Sequence, residues 1–188
     1  MHKGWHSRGY LPHFDSPELI QFLTFRMGDS LPLELLKRWR SDPQCWSEHQ
    51  IQNSIQNYLD RGKGACHLNN PEVAAIVQNS LLHFDQQRYR LLAWCVMPNH
   101  VHTLVEGFSD FPMSEVLHSW KSFTALKINA MLGLSGTFWQ IESFDRYIRD
   151  ENHFQRTLNY IEQNPVKAGL CEKSTDWAYG SAGFKPAV

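Results

Sequence analysis

Residues 88–107, RYRLLAWCVM-PN-HVHTLVEG, constrain this chain more than any other stretch. RYRLLAWCVM carries no charge after Arg90 and is rich in bulky apolar residues, as a strand buried on both faces is. Pro98-Asn99 is turn chemistry, and HVHTLVEG then resumes as a partner strand. The spacing predicts a β-hairpin with strands over 88–97 and 100–107. An isolated hairpin is marginal in water, so this one must sit inside a larger sheet.

Side chains of a strand alternate between its two faces. His100 and His102 therefore point the same way, with Cα atoms roughly 6.5–7 Å apart. Two imidazoles at that spacing can converge on one metal ion. Val101 and Thr103 point to the other face and are free to pack against helices. An H-x-H pair alone is not specific, and the two residues also read as half-exposed strand histidines.

The flanking sequence supplies the rest of the sheet. IQFLTFRM (20–27) reads as a strand. Asn70 is a capping residue and Pro71 suits a first helical position, so a helix is expected from there to about Asp85. Its apolar face is Val73, Ile76, Val77, Leu81 and Phe84. A further helix covers 113–132 and stops at Gly133-Leu134-Ser135-Gly136. FWQ (138–140) is expected as a short strand, and a last helix covers 150–164, ended by Pro165. Between the first strand and the capped helix, LELLKRWR suits a short helix and 46–60 a polar, surface-lying one. Residues 1–18 are expected to be an irregular lead-in.

The order of strands and helices predicts an α+β fold. It is expected to be a ferredoxin-like two-layer sandwich, an antiparallel sheet with helices packed on one side. Residues 29–69 are a helical insertion into it. At 188 residues, 42% of them hydrophobic, one domain spanning the whole chain is expected, with a sizeable core.

On the last helix, Phe154, Leu158 and Ile161 mark the expected core face. Tyr160 lies about 120° from that stripe. Its neighbours one turn away are Arg156 and Asn164. A tyrosine on a polar face can serve as a nucleophile, and the Asn164 amide as a metal ligand. Both residues also allow a structural reading, as a rim aromatic and a helix cap.

AWCVMPNHVHTLVEG (93–107) followed by YIEQNPVKAGL (160–170) resembles the REP-associated tyrosine transposases. These belong to the wider single-tyrosine HUH transposases, in which U is a hydrophobic residue. WHSRGYLPHF near the start, FWQIESFDRYIRDENHF (138–154) and Asp176-Trp177 extend the likeness over nearly the whole chain. The resemblance implies that His100 and His102 ligate a metal, with Asn164 as third ligand. It implies Tyr160 as nucleophile. Tyr147, in FDRYIRD, is the other candidate, and the spacing to Asn164 favours Tyr160. The family's W-x-x-S ending appears with altered spacing as Trp177-Ala178-Tyr179-Gly180-Ser181.

The implied activity is cleavage and rejoining of single-stranded DNA through a 5′-phosphotyrosine, at hairpin-forming repetitive extragenic sequences. The implied cofactor is Mg²⁺ or Mn²⁺, ions that suit a phosphate substrate, although imidazoles also accept Zn²⁺. A net charge of −1 and a pI near 6.8 do not advertise a nucleic-acid binder. DNA contact would rest on a local basic surface. Lys121 and Lys127 on one helix, and Arg146, Arg149, Arg156 and Lys167 in the C-terminal third, are its candidates. Each also reads as a solvated surface charge.

Four cysteines without a C-x-x-C pair exclude a zinc knuckle and fit reduced thiols. Neither a signal-peptide core nor an apolar run of about 18 residues is seen, so a cytoplasmic, nucleoid-associated protein with no membrane partner is expected. A monomer and a homodimer both stay open. So do two other functions, a catalytically silent DNA-binding module and a small hydrolase using metal-activated water. A purely structural α+β domain is the remaining reading.

Overall fold

The computed structural model describes residues 4–7, 12–15, 18–41 and 48–184. Residues 8–11 of the N-terminal motif, Asp42, Pro43 and Cys45 lie outside them. The chain opens with β1 (Gly4–Ser7) and β2 (Pro12–Asp15), paired antiparallel with Trp5 opposite Phe14. This corrects the expected irregular lead-in: pairing gives the backbone N–H and C=O groups partners that an open coil leaves to water.

β3 (Ile20–Arg26) is followed by α1 (Leu33–Ser41) and α2 (Glu48–Leu59), both within 29–69, the segment expected as an insertion. Then come α3 (Pro71–His83), β4 (Tyr89–Val96), β5 (His100–Gly107) and α4 (Met113–Leu132). The chain ends its regular structure with β6 (Phe144–Tyr147) and α5 (Glu151–Lys167). The sheet runs β4-β5-β3-β6, every neighbour antiparallel. With α3 between β3 and β4, and α4 between β5 and β6, this is the ferredoxin-like α+β arrangement expected.

The predicted hairpin is present. Met97 N–H bonds back to His100 O at 2.8 Å across Pro98-Asn99. Helix α3 starts as its sequence requires, with Asn70 Oδ1 accepting from Glu72 N–H and Pro71 at the first position. Alternation then divides β5 between two cores. Val101 and Val105 join Leu23, Phe25, Val96 and the inner faces of α3 and α4. Leu104 joins Ala93, Cys95, Met97 and Ile161, so α5 lies across the opposite face. A register shift between Leu91 and Ala93 moves Leu92 to the α5 side.

Buried polar tips tie the α3/α4 layer to the sheet. Trp120 Nε1–H donates to Tyr89 Oη (2.9 Å), and Tyr89 donates to Leu81 O (2.7 Å). Large aromatic rings contribute most when such tips are satisfied. Trp139 Nε1–H likewise donates to Thr124 Oγ1 (2.8 Å), with the ring 4.9 Å from Phe25.

Those contacts explain one correction. The strand expected at 138–140 is reduced to a single bridge between Met27 and Trp139, and the fourth strand is β6 instead. Phe138 and Trp139 fill the core, and their segment meets the end of β3 only briefly, through Gly28 N–H to Phe138 O (2.9 Å) and Gln140 N–H to Arg26 O (2.8 Å). A second correction concerns α5, which continues through Pro165 to Lys167. The proline removes one N–H in the last turn only. Ala168 N–H still reaches Asn164 O, Leu170 N–H reaches Pro165 O, and Gly169 at φ +71° ends the helix. Asn164 is therefore inside the helix, not at its terminus.

The free edge of β4 is closed by the C-terminal segment. Trp177 Nε1–H donates to Val96 O, Val96 N–H to Tyr179 O, and Ser181 N–H to Trp94 O. The Trp177–Ser181 stretch thus blunts an edge strand.

Candidate active site

The floor of the site is the α5-facing side of β3, β5 and β6. On β5, His100 and His102 are both wholly buried, with Nε2 atoms 3.0 Å apart. Period-two alternation brings them together, as the sequence predicts.

Their orientation is set from behind. Asn99 is wholly buried, and its Nδ2 donates to the carbonyls of Leu59 (3.1 Å) and Lys63 (2.8 Å). Oδ1 is then left facing His100 Nδ1 at 2.7 Å. Nδ1 carries the hydrogen in that bond, so Nε2 presents its lone pair to the site. His102 Nδ1 is held by Thr24 Oγ1 on β3 at 2.8 Å. Supported imidazoles of this kind are the usual form of histidine ligands. Burial pushes the His100 pKa down to about 3, and burial followed by the neighbouring His100 lowers that of His102. Both rings are neutral at pH 7, as metal ligation requires.

The 29–69 segment faces this pair. Asp60, just after α2, has Oδ1 3.7 Å from His100 Nε2. Asp60, His100 and His102 bring ligand atoms within 4.8 Å of one another, a group that one ion can bridge. Gln56, one turn earlier, places its side-chain amide 3.3 Å from His100 Nε2, 3.2 Å from His102 Nε2 and 2.8 Å from Asp60 Oδ1. The loop behind is pinned by Ala65 N–H to Asp29 Oδ2 (2.7 Å). Gly64 sits at φ +89°, where a Cβ would lie 3.0 Å from Asp29 backbone and carboxylate oxygens. Sequence reasoning read this helix as polar and surface-lying and missed both residues. The available signal was their i,i+4 spacing, which puts them on one helix face.

From the other side, α5 presents Tyr160. Its ring centroid is 5.4 Å from that of His102 and 5.9 Å, edge-on, from Phe22. The hydroxyl is buried without a hydrogen-bond partner. Burial first, then the Asp60 carboxylate, raises its pKa. Asn164 is also buried, and neither of its amide atoms has a hydrogen-bond partner. The most buried side chains of α5 are His153, Thr157, Ile161, Asn164 and Pro165. The expected stripe also packs into the core on this side of the sheet, with Phe154 and Leu158 half-buried against the cluster that holds Ile161. His153 and Thr157 of this face border the cavity that Tyr160 lines.

Tyr147 pairs with Gln21 on β6, whereas Phe144 and Arg146 pair with Thr24 and Phe22. Alternation therefore sends Tyr147 to the face away from the histidines. Arg146 and Arg156 are exposed and border a cavity of about 240 Å³. Gln52, Asn53, Gln56, Phe144 and Tyr160 also line it. Lys167 Nζ lies 5.4 Å over the Tyr160 ring, and Arg149 is exposed at the start of α5. Lys121 is elsewhere: its Nζ donates to Gln140 O (2.6 Å) and Ile141 O (2.8 Å), clasping the strap before β6. Lys127 lies 5.9 Å over the ring of Phe123.

A family described as "Transposase IS200 like" matches residues 70–164, half of the chain, including β4, β5, both histidines, Tyr160 and Asn164. The chain belongs to this family. It is 30% identical over 110 residues to the REP-associated tyrosine transposase of Escherichia coli K12. That alignment covers 56% of this chain and 62% of the relative. A Haemophilus influenzae relative is 27% identical over 103 residues, 50% of this chain and 58% of its own. This IS200-like chain therefore matches less than two thirds of the length of these curated relatives. Its fold is also that of a REP-associated tyrosine transposase solved bound to a REP hairpin. That likeness has a TM-score of 0.57 at 16% identity, over 93% of this chain and 82% of the other.

Proposed function

We propose that this IS200-like chain is a metal-dependent, single-tyrosine nuclease and transposase that cleaves and rejoins single-stranded DNA at hairpin-forming repetitive extragenic sequences. The whole chain acts as one HUH-type domain carrying the 29–69 insertion. The observation that carries the reading is the meeting of two neutral, buried imidazoles with a buried, unpartnered tyrosine hydroxyl. Buried polar groups without partners are rare and call for a ligand or a chemical role.

His100 and His102 fit a divalent ion, Mg²⁺ or Mn²⁺, and the orphaned Asn164 amide supports the ligand role expected for it. When bound, the ion polarises the scissile phosphate and stabilises the developing charge. Tyr160 is the nucleophile: its Oη–P bond forms as the P–O3′ bond breaks. The phenol proton leaves to solvent, and the 3′ oxygen departs as a hydroxyl with a proton from solvent. That hydroxyl, or another 3′ end, reverses the step and rejoins strands. The Lys167 ammonium over the ring favours the phenolate, against the burial that disfavours it. Arg146, Arg149 and Arg156 hold the DNA backbone beside the cavity. Lys121 contributes by fixing the strap that leads into β6.

The test is incubation of labelled hairpin DNA from the protein's own genome with protein and Mn²⁺, resolved on a denaturing gel. A metal-dependent covalent adduct that disappears in Tyr160→Phe is expected. Cleavage that survives Tyr160→Phe would instead indicate metal-activated water, and intact binding with no cleavage a silent DNA-binding module.

A further inference from the structure

Gln56 and Asp60 are 44 and 40 positions before His100 in the chain, yet they meet it at the site. Both come from α2 and the turn after it, inside the insertion. Residues 70–164 match the family, so α2 lies outside the matched region. We propose that the insertion supplies two ligands to the metal, the Asp60 carboxylate and the Gln56 amide oxygen, so that the ion clamps α2 onto the sheet. This rests on the metal-dependent reading above.

The donor spacings carry the argument. For a small divalent ion with bonds of about 2.0–2.1 Å, adjacent octahedral positions lie roughly 3.0 Å apart. The two histidine Nε2 atoms are 3.0 Å apart, and the Gln56 amide nitrogen, whose place the carbonyl oxygen takes when the amide turns over, is 3.2 and 3.3 Å from them. Asp60 Oδ1 is 2.8 Å from that amide and 3.7 Å from His100 Nε2. Four donor groups therefore share one small volume.

The tautomer adds a second argument. His100 Nε2 brings a lone pair to this point, and His102 Nε2 brings a second when its Nδ1–H is donated to Thr24. Such a pair at 3.0 Å requires a donor or a cation between them. In this arrangement the Gln56 NH₂, with two hydrogens, faces three acceptors, both nitrogens and the carboxylate. Rotation of that amide by half a turn exchanges NH₂ for the carbonyl oxygen without moving the helix, which converts a bridge into a ligand. A carboxylate is also the natural partner of a hard cation.

The consequence is structural as well as chemical. Gln52, Asn53 and Gln56 share α2 and form one wall of the cavity that Tyr160 borders. A metal that binds Gln56 and Asp60 fixes this wall over the DNA-binding cleft.

The experiment is titration of the full chain with Mn²⁺, followed by electron paramagnetic resonance of the free ion, with melting in chelator as a check on folding. Asp60→Asn and Gln56→Ala are expected to weaken Mn²⁺ binding tenfold or more, and Gln56→Glu to tighten it. Hydrogen exchange across 48–60 is expected to slow when Mn²⁺ is added to wild type. If Asp60→Asn and Gln56→Ala, folded as wild type, bind Mn²⁺ unchanged while His100→Ala does not bind, the insertion is not a ligand source and this proposal fails alone. If wild type binds no Mn²⁺, the proposal and the metal-dependent reading fail together.

Discussion

Asn99 is the hinge on which insertion, hairpin and histidine meet, and its replacement gives a demanding test. Asn99→Ala removes three hydrogen bonds: Nδ2 to Leu59 O, Nδ2 to Lys63 O, and Oδ1 from His100 Nδ1–H. Each is worth about 0.5–1.5 kcal/mol net, and buried groups left unpaired add to the cost. A loss of about 3 kcal/mol follows, a large share of the roughly 5–15 kcal/mol that holds a typical domain together. The second effect falls on the site. Without Asn99 the His100 ring loses its fixed tautomer, and removing such a support costs metal affinity about 10–100-fold. Urea unfolding in chelator measures the first term, and Mn²⁺ titration below the unfolding range measures the second. A variant that loses under about 1 kcal/mol and binds Mn²⁺ as wild type does would refute the account of how His100 is oriented.

Tyr160→Phe is expected to abolish the covalent DNA adduct while leaving the melting temperature unchanged or higher, because the removed hydroxyl is buried without a partner; a clear drop in stability would contradict this. Acid should destabilise the metal-free protein. His100 titrates near 3 when folded and near 6.5 when unfolded, so the unfolded state binds the proton first as pH falls. Its contribution is complete above about 6.5 and is lost between there and about 3, at up to about 1.4 kcal/mol per pH unit, with His102 acting in the same direction. Denaturation midpoints flat across that window would count against two buried neutral imidazoles. Lys121→Met should cost about 1.5–3 kcal/mol from lost charged hydrogen bonds, yet leave the salt dependence of DNA binding unaltered. Arg146→Ala and Arg156→Ala should do the reverse, each lowering the slope of log affinity against log salt by about 0.7 on single-stranded DNA with little change in melting. Equal slopes in all three variants would remove these arginines from the DNA surface.

The local features of this protein were legible in its residues because backbone geometry dictates them. A period of two sends His100 and His102 to one face and Val101 to the other, whatever the rest of the chain does. Asn70-Pro71 starts α3 because a side-chain oxygen caps an amide and a proline needs no partner there. The α+β class followed from the order in which strands and helices succeed one another along the chain.

What tertiary structure decided depends on groups distant in sequence. The apolar signal of Phe138-Trp139 was real, but only packing showed that it fills the core while 144–147 completes the sheet. Pro165 breaks most helices, yet in a last turn it forfeits a single bond and the helix continues. The i,i+4 spacing in QNYLD puts Gln56 and Asp60 on one face but does not say that this face meets the histidines. A helix face seen alone has no partner, and its polar residues read as solvated until a fold places a buried imidazole opposite them. The sequence thus determined the imidazole pair and the strand that carries it. The fold alone determined which side chains stand across from that pair, because contact between distant segments is a property of packing and not of periodicity.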